Sequence, residues 1–150
     1  MFSSLVPAPK GTGKTLFASS RRLLQVLERD YTVNQLTAVT WECQTDAFDA
    51  TVLKEMSLWV PHPENQKLCV RYHEPWPKSR TKFDATEVRM NNAPEDLGKK
   101  IDAALYDSRV CNYLQFGENE IIVSDNILMM HTREAYPPGS PRRFWRIHVN

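Results

Sequence analysis

The sequence has little that would cross a membrane, cross-link a chain or set up a charge field. No apolar run approaches the roughly 18 residues a spanning helix needs, and the stretch around Leu5-Val6 is too short for a signal-peptide core. The three cysteines, Cys43, Cys69 and Cys111, are odd in number, far apart and in no C-x-x-C pair. That argues against a disulfide framework and a structural zinc site, and it fits a reducing, cytoplasmic compartment. A net charge of +1 gives no global support for a nucleic-acid or anionic-membrane partner. No internal repeat is present, and no histidine precedes His62.

What remains is ordinary for a folded chain: 150 residues, 41% hydrophobic and 25% charged, one domain's worth. Phe2 to Val6 reads as a short strand closed by Pro7 and Pro9. Leu16, Leu23, Leu24 and Leu27 give Thr15 to Arg29 helical spacing. Thr37 to Cys43 and Met56 to Val60 read as strands, the second joined through Glu64 to Lys67 in a hairpin with Leu68 to Tyr72. Lys78 to Asn92 is polar and mixed, a loop or insertion. Pro94 opens a second helix with Leu97, Ile101, Ala104 and Leu105 on its apolar face. Strands at Val110 to Phe116, Glu120 to Ser124 and Phe144 to Val149 follow. Many short strands with one or two helices predict a mainly β, jelly-roll-like architecture.

The chemistry is concentrated at the C-terminal end. After the apolar run Ile121-Ile122-Val123 come Asp125-Asn126, then His131, then Arg142 and Arg146, eleven and fifteen residues past the histidine. A neutral imidazole ligates Fe(II), and a guanidinium fork grips a carboxylate through paired charge-assisted hydrogen bonds. Pro137, Pro138, Gly139 and Pro141 force a loop between the two groups, which predicts His131 and the arginines on neighbouring strands. Arg142 and Arg146 share a strand face by the period of two. Asp125 and Asn126 read as corner residues, and Arg143 as part of a solvated basic edge. Trp41, Trp59, Trp76 and Trp145 read as core or interface aromatics.

A competing motif lies at the other end. Ala8-Pro9-Lys10-Gly11-Thr12-Gly13-Lys14-Thr15 matches a relaxed P-loop, in which Lys14 would neutralise a phosphate and Thr15 would hold Mg²⁺ for ATP or GTP. Its first glycine is missing, and strand-helix alternation does not continue past residue 30.

Gly11-Thr12-Gly13-Lys14-Thr15-Leu16-Phe17-Ala18-Ser19, with Glu118 to Asn126, His131-Thr132-Arg133 and Arg142, resembles the taurine dioxygenase and clavaminate synthase-like family of Fe(II)/2-oxoglutarate-dependent oxygenases. The resemblance implies a partial double-stranded β-helix, with Fe(II) as cofactor and 2-oxoglutarate as co-substrate. It implies His131 as a metal ligand, with Thr15 and Arg142 on 2-oxoglutarate. Arg146 would share that role or meet an anionic substrate. It also implies oxidation of a small, amino-acid-like or acidic metabolite. The family's first iron-ligand pair, His-x-Asp or His-x-Glu, has no counterpart ahead of Gly11. His62-Pro63-Glu64 has the formal pattern but reads as an exposed turn, and His73-Glu74-Pro75 fares no better. The expectation is a single, N-terminally incomplete domain over residues 1–150, with an oligomer possible. A non-catalytic remnant or interaction module is the third class the sequence leaves open.

Overall fold

The structure, a computed structural model, describes residues 1–45, 52–75 and 86–147. In chain order the elements are β1 (Phe2–Val6), β2 (Thr15–Ser19), α1 (Ser20–Leu27), α2 (Val33–Thr37), β3 (Thr40–Thr45), β4 (Val52–Ser57), β5 (Trp59–Pro61) and β6 (Leu68–Val70). They continue as β7 (Thr86–Asn91), α3 (Leu97–Leu105), β8 (Cys111–Leu114), β9 (Ile121–Ile122), β10 (Met129–Arg133) and β11 (Arg143–Arg146). Strands predominate, as the turn-rich sequence predicts, although the described residues hold three helices rather than one or two.

The described residues form three three-stranded antiparallel sheets, ordered β11-β1-β9, β10-β2-β8 and β4-β3-β7, and a separate β5–β6 hairpin. Strand β2 is the shared wall between two apolar cores. Leu16 and Ala18 face a large core with Leu23 and Leu27 of α1 and Leu97 and Ile101 of α3. Phe17 faces the other way into a small cluster with Phe2 and Phe116, packed by Ile122, Met129 and Phe144. This cluster joins the β11-β1-β9 sheet to the β10-β2-β8 sheet. Phe2 and Phe17 meet edge to face at 5.4 Å between centroids, as do Phe116 and Phe144 at 4.7 Å.

Burial on both faces explains why Thr15–Ser19 is a strand and not the first turns of a helix. A strand covered on both sides loses its period-two alternation, and Leu-Phe-Ala then joins the leucines of α1 in one apparent helical stripe. The helix begins only where Ser19, still extended, accepts the Arg22 N–H on its side chain at 3.4 Å. Helix α2, absent from the sequence reading, starts with a capping box in which Thr32 and Gln35 satisfy each other's backbone N–H groups. Residues 86–91 form β7 against β3 rather than the end of a loop. Residues 78–85 of that predicted loop and Trp76 lie outside the described residues, as does the end of the last predicted strand.

Leu23 and Ile101 are fully buried where α1 meets α3. Truncating either, as Leu23→Ala or Ile101→Ala, is expected to cost about 2–5 kcal/mol in urea denaturation, because the helices leave a cavity they can close only in part. Val33→Ala, on an exposed position of α2, should move the midpoint little.

Candidate active site

His131 sits within β10 directly opposite Phe17 of β2, so its ring shares the face of the small aromatic cluster. The edge of Phe2 meets it at 5.0 Å and Phe17 lies at 6.3 Å. On the facing sheet, the register Phe2↔Arg146 and Ser4↔Phe144 turns Arg146 and Phe144 to the face that carries Phe2. Arg142 stacks its guanidinium over Phe144 at 4.3 Å and lies near the Tyr136 ring at 5.4 Å. His131 and the arginines are therefore not on neighbouring strands, as the spacing suggests. His131 comes from one sheet and Arg146 from the other, Arg142 lies just ahead of β11 and so does not share a strand with Arg146, and Arg146 Nη1 reaches His131 Nε2 at 3.1 Å. The loop of Pro137 to Pro141 carries the chain from one sheet to the other.

Thr15, Arg142, Arg146 and His131 converge on one cavity of about 370 Å³, whose remaining lining is Phe2, Thr132, Arg133 and Phe144. None of the lining residues is acidic. The Thr15 hydroxyl is the notable group. Its residue is only 4% exposed, and Oγ1 has no hydrogen-bond partner among the described residues. A buried hydroxyl without a partner costs on the order of 1–3 kcal/mol unless a ligand meets it. Burial, reinforced by the neighbouring charge of Arg133, pulls the Arg142 guanidinium below its ordinary pKa, and no carboxylate pairs with it among the described residues. The turn that delivers Thr15 depends on Gly13, whose φ is +59° and where a Cβ would lie 2.8 Å from the Ala8 Cβ and 3.2 Å from the Tyr136 Cβ.

The same turn excludes the P-loop reading. Thr15 opens a strand, not a helix, so no helix N-terminus faces the glycines. Two of the amides that would cradle phosphate are already engaged, Thr12 N–H on Pro9 O at 3.0 Å and Gly13 N–H on Ala135 O at 3.1 Å.

Another departure from the sequence reading concerns His62. It is buried, not an exposed turn residue. The Glu64 backbone N–H donates to Nδ1 at 3.2 Å, so the proton sits on Nε2, which donates to Asp125 Oδ2 at 3.1 Å. Asp125 Oδ1 in turn accepts the backbone N–H groups of Ile127 and Leu128 at 2.8 and 3.0 Å. Asp125 is thus the corner residue the sequence suggests, and it also ties the β5–β6 hairpin to the turn entering β10. Between that hairpin and β10 runs a cleft of about 540 Å³, lined by Val60, Pro61, Val70, Met129 and Met130 and bordered by His131. His73 Nδ1 donates to the Glu74 carbonyl at 2.9 Å. Trp41 and Trp59 are core residues, whereas Trp145 is exposed on the outer face of β11.

Among the described residues no three His, Cys, Asp or Glu side chains group to hold a metal. His131 is the one imidazole lining the cavity, and its Nε2 faces Arg146. The described residues do not by themselves fit an iron site; three guanidiniums and a buried hydroxyl suit an anion.

Residues 1–148 match the taurine catabolism dioxygenase TauD, TfdA family, and the chain belongs to that family. Among its relatives, isocyanide synthase xanB of Aspergillus fumigatus is 40% identical over 149 residues, which is 99% of this chain and 20% of that protein. Tyrosine isonitrile desaturase of Pseudomonas aeruginosa is 22% identical over 149 residues, 96% of this chain and 51% of that one. The crystal structure of the PvcB protein from Pseudomonas aeruginosa shares the fold, with a TM-score of 0.66 at 18% identity over 95% of this chain and 48% of that one. A second structure describes PvcB as an Fe, alpha-ketoglutarate dependent oxygenase from an isonitrile synthetic pathway and matches at a TM-score of 0.63. The chain thus spans a fifth of the first relative and about half of the others. The mainly β, clavaminate synthase-like architecture is the one the sequence predicts. No helix of the described residues is long and apolar enough to cross a membrane.

The Asp125 corner yields a pH prediction. Burial opposes its charge, but the Leu128 and Ile127 amides and His62 outweigh it and hold the carboxyl below its ordinary range. A depressed folded pKa gives stability that is present above the unfolded value of about 3.9 and lost as pH falls through the folded value. Asp125→Asn is expected to flatten the acid limb of stability against pH in urea titrations. Asp125→Ala, which also removes both backbone caps, should cost about 1–3 kcal/mol at neutral pH.

Proposed function

We propose that this chain forms the co-substrate-holding part of an Fe(II)/2-oxoglutarate-dependent oxygenase acting on a small amino-acid-derived metabolite. The observation that carries the reading is the convergence of the orphaned Thr15 hydroxyl, Arg142, Arg146 and His131 on one cavity without an acidic side chain. Arg142 supplies the fork for the distal carboxylate of 2-oxoglutarate, held flat by the Phe144 ring beneath it. Thr15 donates a hydroxyl proton to the same carboxylate, and the aromatic walls keep water from competing. His131 would supply one ligand to the iron. Among the described residues no group of three His, Cys, Asp or Glu side chains completes the ligand set. Iron, when bound, supplies the oxidation of an unactivated C–H bond at the expense of 2-oxoglutarate and O₂.

The substrate enters through the apolar cleft beside β10, which ends at His131. Its lining of Val60, Val70 and methionines suits an apolar body, and Arg71 at its rim suits a carboxylate. Isocyanide synthase xanB and tyrosine isonitrile desaturase point by name to isocyanides derived from amino acids as the substrate class.

Calorimetric titration with 2-oxoglutarate tests the co-substrate role. Loss of one charge-assisted contact weakens binding by about 10–100-fold, which is the expectation for Arg142→Ala. Thr15→Val, losing a neutral donor, should cost roughly 3–10-fold. Absence of binding to the wild-type chain at millimolar ligand would sink the proposal.

A further inference from the structure

Two short segments meet at the back of the cleft beside β10: residues 61–63, leading out of β5, and residues 125–127, leading into β10. Pro63, Asn126 and Ile127 line that cleft and also a second one of about 500 Å³, which runs on to Phe2 and Arg146. The two clefts are neighbours with one wall between them. Among the described residues a single hydrogen bond ties the halves of this wall, the 3.1 Å bond from His62 Nε2 to Asp125 Oδ2. Each end of the tie is fixed by its own turn. The His62 N–H donates to Lys67 O at 2.8 Å and its carbonyl accepts the Gln66 N–H at 2.9 Å, so the ring projects from a closed turn. Asp125 keeps Oδ1 on the Ile127 and Leu128 amides, which leaves Oδ2 for the imidazole. His62 is only 4% exposed, so water does not compete for its ring N–H. The base of the hairpin is held independently, with Leu58, Trp59, Cys69 and Val70 buried and the Val70 N–H on Ser20 Oγ at 3.2 Å. Losing the tie therefore frees the tip of the hairpin and not its base.

We infer that the His62–Asp125 pair sets the length of ligand the cleft accepts, because it keeps the 540 Å³ cleft beside β10 closed off from its 500 Å³ neighbour. Arg71 stands at the hairpin base, where its N–H donates to Leu58 O at 2.8 Å, and the wall stands at the hairpin tip. From Arg71 back to Lys67 in the turn is four residues of strand, about 13 Å. A carboxylate on the Arg71 guanidinium thus sends its apolar tail along the cleft until it meets Pro63, Asn126 and Ile127. With the tie cut, the tail passes between the two segments into the second cleft. This size limit rests on the proposed oxygenase for its bearing on substrate, while the wall rests on the hydrogen bond and the two clefts alone.

Straight-chain carboxylates are the probes: hexanoate, octanoate, decanoate, dodecanoate and tetradecanoate, titrated by calorimetry into the 150-residue chain below their micelle concentrations. In wild type each added methylene should raise affinity about fourfold until the tail reaches the wall, after which affinity stops rising. In His62→Ala the rise should continue for at least two further methylenes. Asp125→Ser, which keeps an oxygen for the turn amides but is too short to reach His62, should behave in the same way and serves if His62→Ala does not fold. His62→Gln, which carries an amide N–H to the place of Nε2, should restore the wild-type limit. Arg71→Ala should weaken every probe by about tenfold. The inference is overturned by an unchanged limit in His62→Ala and Asp125→Ser, by a limit that moves equally in His62→Gln, by probes indifferent to Arg71→Ala, or by no binding of any probe to wild type. The oxygenase reading fails separately: wild type without heat on 2-oxoglutarate, but with the shifted limit intact, would reject that function and leave the wall standing.

Discussion

Everything at the site depends on how two sheets meet through Phe2. Its ring packs edge to face on Phe17 and edge to face on the imidazole of His131, so one side chain of β1 sets both the separation of the sheets and the attitude of the histidine. The antiparallel register then fixes the rest. Arg146 stands opposite Phe2 and Phe144 opposite Ser4, which brings a guanidinium to a nitrogen of a strand in the other sheet. A slip of one residue in β11 would turn Arg146 outward and Trp145 inward, replacing the charge at the cavity with an indole.

Much of the site was legible in the sequence, and the reason is chemical. His131, Arg142 and Arg146 announce themselves by type and spacing, and Thr15 by the glycine-rich turn that delivers it. All four line the cavity. What sequence could not give was their arrangement across two sheets. Spacing along the chain says that Pro137 to Pro141 make a loop, but not whether that loop returns to the same sheet or crosses over. The sequence hides the burial of His62 for a related reason. Its partner Asp125 is 63 residues away, and a histidine between prolines looks like a surface turn until the distant carboxylate is in place.

The elements that the sequence conceals share a cause. Thr15–Ser19 is buried on both sides, so its apolar residues show no alternation and merge with the stripe of α1. Helix α2 has five residues, too few for any periodicity, and its signal is the Thr32 to Gln35 capping box alone. Strand β7 alternates exposed and half-buried side chains against β3, but its Arg and Glu hide that rhythm in a polar stretch. Helix α3, with Pro94 ahead of it and a full apolar face, was readable because local and tertiary preferences agree there.

The cavity wall has a further meaning for the free protein. Arg133, Arg142 and Arg146 are gathered there with no acidic side chain in the lining, and Arg133 already weighs on the charge of Arg142. Folding therefore concentrates like charge that the unfolded chain would spread through solvent. The native state carries repulsion between Arg133 and Arg142, weaker at high ionic strength, and an anion bound there relieves it while meeting the Thr15 hydroxyl. An anion bound there adds counter-charge to this wall, and thermal stability and anion concentration become two readings of one equilibrium.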